Sequence, residues 1–129
     1  MSDSPRPAIA DNDSATTVAE LRELVAEFVA ARDWSQFHSP KNVSMALAVE
    51  AAELMEHFQW IGSDDSRAIP NDTEKLAAVA EEISDVFGYT LALANELGID
   101  ISQAFRAKMI KNAKKYPADE FHGRYERPD

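Results

Sequence analysis

The sequence predicts an all-α protein built as a single domain. Four stretches repeat apolar residues at helical spacing, and none sustains the alternation of apolar and polar residues, bounded by turn signals, that marks a half-buried strand. At 129 residues the chain has room for one core and little more, which excludes a large barrel or a two-domain enzyme. The expected layout is a flexible N-terminal tail over 1–16, a helical domain over 17–117 and a polar C-terminal tail over 118–129.

The first helix opens at Thr17, whose hydroxyl can cap the backbone while Glu20 reaches back, and it carries Leu21, Leu24, Val25, Phe28 and Val29 to about Arg32. A loop over 33–39 follows. Ser39 as N-cap with Pro40 in the first turn starts a second helix, expected to reach about Trp60 before Gly62. Residues 62–72 read as a polar loop. A third helix, long for so small a domain, runs from near Asp72 to Gly98. Asp100 with Gln103 then opens a fourth, which Pro117 stops.

Composition removes several function classes. The chain has 23 Asp and Glu against 13 Lys and Arg, a net charge of −10 that opposes general binding to a nucleic acid polymer or an anionic membrane. No cysteine is present, so disulfides, thiolate zinc sites and cysteine nucleophiles are excluded, a composition compatible with a reducing cytoplasm. The four glycines, at 62, 88, 98 and 123, form neither a GxxxxGK[ST] nor a GxGxxG cradle, so a phosphate bound here would be held by side chains and metal. The N-terminal stretch lacks the basic start and apolar segment of a secretory signal, and no apolar run approaches the roughly 18 residues of a membrane span.

The informative residues are carboxylates in unexpected places. On the second helix Val43, Leu47, Ala51, Leu54, Phe58 and Ile61 form an apolar stripe; Glu50 falls inside it and Glu53 at its edge. A buried carboxylate needs a cation, a basic partner or a proton. A half-exposed glutamate whose stem covers the core is the competing reading, since ExxE is common in helices. The third helix repeats the pattern: Glu82 and Asp85, within Glu81-Glu82-Ile83-Ser84-Asp85, also stand three residues apart on one face. If the two helices pack side by side, four carboxylates converge, and a hard divalent cation such as Mg²⁺ is the partner that suits an all-oxygen ligand set. A di-iron bundle would instead use Glu-x-x-His pairs, and Ser35, Leu54 and Asp119 precede the three histidines at that spacing.

Charge is distributed unevenly. Residues 1–103 hold 6 basic and 19 acidic residues, net −13, whereas 104–129 hold 7 and 4, net +3. The basic fourth helix, with Arg106, Lys108, Lys111, Lys114 and Lys115, is either a solvated face that complements its own C-terminus or a partner for polyphosphate. The loop Trp34-Ser35-Gln36-Phe37-His38, with Trp60 and Tyr89, offers aromatic surface that is either core or a stacking platform for a base.

Taken in order, Arg32-Asp33-Trp34, Phe37-His38-Ser39-Pro40-Lys41-Asn42, Glu50-Ala51-Ala52-Glu53-Leu54, Phe58-Gln59-Trp60, Glu81-Glu82-Ile83-Ser84-Asp85-Val86 and Lys111-Asn112-Ala113-Lys114-Lys115-Tyr116-Pro117 closely resemble the MazG-like all-α nucleoside triphosphate pyrophosphohydrolases, nearest to their dCTP pyrophosphatase branch. The resemblance covers about 17–117 and implies a four-helix MazG-like bundle that assembles as a homo-oligomer, a dimer of dimers favoured over a dimer. It further implies hydrolysis of a nucleoside triphosphate, dCTP or a 5-modified dCTP, to monophosphate and pyrophosphate with Mg²⁺, in nucleotide-pool cleansing. On this reading Glu50, Glu53, Glu82 and Asp85 are the metal ligands and catalytic carboxylates. Trp34, Gln36, Phe37, His38, Asn42, Trp60 and Tyr89 line the nucleotide pocket, and Lys108, Lys111, Asn112 and Tyr116 meet phosphate and sugar. Two positions depart from the pattern: Lys41 stands where arginine is expected, losing the fork geometry, and Val25 where some relatives carry histidine. The alternative of another class is a non-catalytic acidic helical module for oligomerisation or partner binding.

Overall fold

A computed structural model describes residues 11–126, all helix, turn and loop, with no strand among them. Six α-helices occur in chain order: α1 (Val18–Ala31), α2 (Pro40–Glu56), α3 (Ser63–Arg67), α4 (Thr73–Leu97), α5 (Ile101–Lys115) and α6 (Ala118–Phe121). Short 3₁₀ turns at Ser35–Phe37 and Ile69–Asn71 punctuate the connections. The expected tail over 1–16 lies largely outside the described residues; within it, Asn12 accepts from the backbone of Ala15 and Thr16 in a tight turn.

Each long helix begins where a side chain satisfies an otherwise orphaned backbone donor. Thr17 accepts from Glu20 N, Ser39 from Asn42 N, Asp72 from Lys75 N and Asp100 from Gln103 N. Gly98 ends α4 in the left-handed region at φ 64°, where a side chain would be strained. The end of α1 is less usual. Asp33 takes the left-handed position at φ 52°, Asp33 N donates to Ala30 O and Trp34 N donates to Val29 O, the paired bonds of a Schellman motif built without glycine. The apolar contact that accompanies such a motif is present too, as the Trp34 ring packs edge-on against Phe28 at 5.7 Å.

Three expectations need correction. Helix α2 ends at Glu56 rather than near Trp60, because the backbone N–H of His57 turns back to the carbonyls of Leu54 and Met55 and the chain continues as turns. The segment 62–72 is not a plain loop: Ser63–Arg67 is helical, and Ile69 beyond it is buried. The C-terminal tail contains α6, whose Phe121 packs edge-on against Tyr116 at 5.2 Å.

The chain divides into two units, 11–98 and 99–126 among the described residues. In the first, α4 packs chiefly along α2 and also against α1, around Val29, Val43, Ile69, Val79, Leu91, Ala92 and Ala94. Val43 on α2 and Leu91 on α4 are the most enclosed, at 1% and 2% exposure. Ala51, expected in the apolar stripe of α2, is exposed, while Leu47, Leu54 and Phe58 are half-buried. A reciprocal pair locks α1 to α4: Arg22 Nε donates to Asn95 Oδ1 at 2.9 Å, and Asn95 Nδ2 donates to the Arg22 carbonyl at 3.2 Å. The second unit is α5 with α6.

Candidate functional site

The α2–α4 contact brings together acids that lie some thirty residues apart in sequence. Glu50 and Glu53 project from adjacent turns of α2, Glu82 from α4, and one oxygen from each carboxylate lies within 4.8 Å of the others. Glu50 and Glu82 are half-buried and Glu53 is exposed, so the group opens to solvent on one side. Asp85, the fourth expected ligand, is exposed and outside this three-oxygen group, yet its charge reaches Glu50.

Bringing these carboxylates together is electrostatically costly. Burial first, then a hydrogen bond and charge from Glu53, then the charges of Asp85 and Glu82, raise the Glu50 pKa from 4.5 to about 6. Glu50 Oε2 and Glu82 Oε2 are buried without a hydrogen-bond partner. Buried acceptor oxygens with no donor, set among like charges, are costly unless a cation joins them. The donor set is all oxygen, so the residues fit a hard divalent ion such as Mg²⁺, which keeps several waters and needs only a few carboxylates.

The aromatic loop forms a second feature of the same unit. Trp34 stands between Phe28 and His38, whose ring centroid is 6.5 Å away, and the Arg32 guanidinium lies over Phe28 at 3.6 Å. Gln36 Nε2 donates to the carbonyl and carboxylate of Asp33, while Asn42 Nδ2 donates to the Phe37 carbonyl, so both amides brace the loop. Phe37 is exposed, Tyr89 is half-buried on α4, and Trp60 is 87% exposed beyond the end of α2. No ring contact joins Trp60 to the Trp34 group among the described residues.

Comparison with known proteins gives this arrangement a context. The MazG-like family model matches residues 45–127, which span both carboxylate pairs and the basic helix. The chain belongs to the MazG-like family. It is 41% identical over 104 residues to dCTP pyrophosphatase 1 from Bos taurus, 81% of this chain and 62% of that protein. It is 42% identical over 102 residues to dCTP pyrophosphatase 1 from Homo sapiens, 79% of this chain and 60% of that one. The chain thus spans less than two thirds of the length of these curated relatives. A crystal structure of a pyrophosphatase from Archaeoglobus fulgidus matches with a TM-score of 0.69 at 38% identity, over 77% of this chain and 91% of that one.

In this MazG-like chain the remaining expected residues lie in the second unit. Lys108 and Lys111 are exposed on α5, Asn112 is half-buried, and Tyr116 caps the helix with its ring against Phe121 and the Lys115 ammonium 5.6 Å from its centre. The sequence sets His57 aside as a di-iron ligand, because Leu54 and not a glutamate stands three residues before it. Its Nε2 lies 3.9 Å from Glu82 Oε1. The signal was present, because His57 follows Glu53 by four residues and Glu50 by seven, the spacing of one helix face.

Proposed function

We propose that this MazG-like protein is a nucleoside triphosphate pyrophosphohydrolase that cleaves between the α- and β-phosphates, with dCTP or a 5-modified dCTP as substrate. The observation that carries the reading is the meeting of Glu50, Glu53 and Glu82 across two helices, with two buried carboxylate oxygens unpartnered. The dCTP pyrophosphatase relatives supply the substrate class.

Glu50, Glu53, Glu82 and Asp85 would hold Mg²⁺, which when bound supplies charge neutralisation for the phosphates and orientation for the attacking water. Glu53, the exposed member of the three-oxygen group, accepts the proton of that water. Trp34 with His38, and Trp60 and Tyr89, pack the base, and the loop braced by Gln36 and Asn42 holds Trp34 in place. Lys108 and Lys111, with Asn112 and Tyr116, are assigned to the β- and γ-phosphates and the sugar, a contribution that in this family often comes from another subunit.

The proposal includes assembly into a homo-oligomer, a tetramer rather than a dimer, in the cytoplasm. Support for assembly comes from large apolar side chains exposed in one copy: Met45 and Val49 on α2, Ile83 and Phe87 on α4, Phe105 and Ile110 on α5. Among the described residues no helix is long and apolar enough to cross a membrane.

The test is a panel of canonical and 5-substituted triphosphates with Mg²⁺, resolving pyrophosphate from orthophosphate. Monophosphate and pyrophosphate in equal amounts, fastest from dCTP or an analogue, is the expected result. Orthophosphate alone would overturn cleavage at the α-phosphorus, and no turnover of any triphosphate would return the chain to the non-catalytic alternative.

A further inference from the structure

We propose that His57 is a positioning residue for the carboxylate cluster, holding one oxygen of Glu82 so that the other stays directed to the divalent ion. The inference rests on the reading of Glu50, Glu53 and Glu82 as metal ligands.

The two oxygens of Glu82 have different surroundings. Oε1 lies 3.9 Å from His57 Nε2, whereas Oε2 is buried and has no hydrogen-bond partner. A carboxylate that binds a hard cation through one oxygen leaves the second to be oriented by a neighbouring donor, and loss of such a donor typically costs about 10–100-fold in metal affinity. The imidazole is well placed for this part. Its backbone is fixed at the end of α2 by bonds to the carbonyls of Leu54 and Met55, one turn beyond Glu53, and its ring reaches across to α4. It thereby links the two helices that supply the ligands. His57 is not a member of the three-oxygen group, and its Nε2 stands beside Glu82 Oε1. The 3.9 Å separation exceeds a hydrogen bond, so the positioning role requires the two side chains to draw closer when the ion binds. Both side chains keep contact with solvent, at 32% and 24% exposure, and neither is locked in a packed core.

The test uses Mn²⁺ as the probe, titrated into the full chain and followed by calorimetry or paramagnetic relaxation, with the metal-free melt recorded for each variant. Wild type should bind Mn²⁺, and His57→Ala should bind it about tenfold or more weakly. His57→Gln, whose amide nitrogen can occupy the place of Nε2, should recover most of the affinity. His57→Asn, whose nitrogen falls at the place of Nδ1, should not. The Gln and Asn variants keep the comparison decisive if alanine fails to fold. Wild-type affinity in His57→Ala, or equal affinities for the Gln and Asn variants, would overturn the proposal. No Mn²⁺ binding by wild type would overturn the metal reading itself, and the His57 inference with it.

Discussion

Among the described side chains Glu50 stands out electrostatically. Its folded-state pKa is raised from 4.5 to about 6, so the folded protein holds this proton more tightly than the unfolded chain does. The stabilisation is therefore complete below about 4.5 and is lost as pH rises through about 6. The metal-free protein should melt at a lower temperature at pH 7 than at pH 5 for this group's part, and saturating Mg²⁺ should reverse the loss by binding the deprotonated form. Glu50→Gln should flatten that pH dependence in thermal melts. The same substitution should abolish pyrophosphate release while leaving the helical circular dichroism intact; an unaffected rate would remove Glu50 from the site.

Among the elements, the helix ends are the most testable features. Asp33 adopts the left-handed conformation that closes α1 and delivers Trp34 to Phe28 and His38. A residue with a Cβ is strained there by about 1–2 kcal/mol, and glycine is not. Asp33→Gly should accordingly keep or raise stability in urea denaturation, whereas Asp33→Val should lower it by about 1 kcal/mol or more. At the other end of the site, Asp72 caps α4 through Lys75 N, and Asp72→Ala should cost about 1 kcal/mol. Because α4 carries Glu82 and Asp85 about three to three and a half turns further on, that variant should lose stability and retain Mn²⁺ binding when folded.

For the whole molecule, one copy buries few residues and exposes many large apolar ones. Seven hydrophobic residues are buried among the described ones, a thin core for a domain of this length. The exposed apolar residues of α2, α4 and α5 would be covered in a homo-oligomer, and stability should then depend on protein concentration. Light scattering should give a mass of four chains. Phe105→Glu, at a position 62% exposed in one copy, should shift that mass downward while leaving the far-ultraviolet dichroism unchanged. Mg²⁺ with a nonhydrolysable nucleotide should raise the melting temperature, and a chelator should abolish the rise.

Much of this was legible in the sequence because helix signals are local. Thr17, Ser39, Asp72 and Asp100 each mark a helix start through a side chain bonding its own backbone three residues on, a contact that needs no tertiary partner. The carboxylate pairs were legible for the same reason, since i, i+3 spacing sets a common face within one helix. What spacing along one helix could not decide was how two helices meet. That Glu82 joins Glu50 and Glu53 while Asp85 stands outside the three-oxygen group follows from the packing of α4 on α2 around Val43 and Leu91. The same packing buries two carboxylate oxygens without partners and brings His57 to Glu82. The early end of α2 and the helix at Ser63–Arg67 also escaped periodicity, one passing from helix into tight turns at His57 and the other too short to repeat. The sequence by itself determined the all-helical class, the starts of the four long helices and the acidic pairs; only the tertiary structure decided which carboxylates come together, because that depends on contacts between residues far apart in the chain.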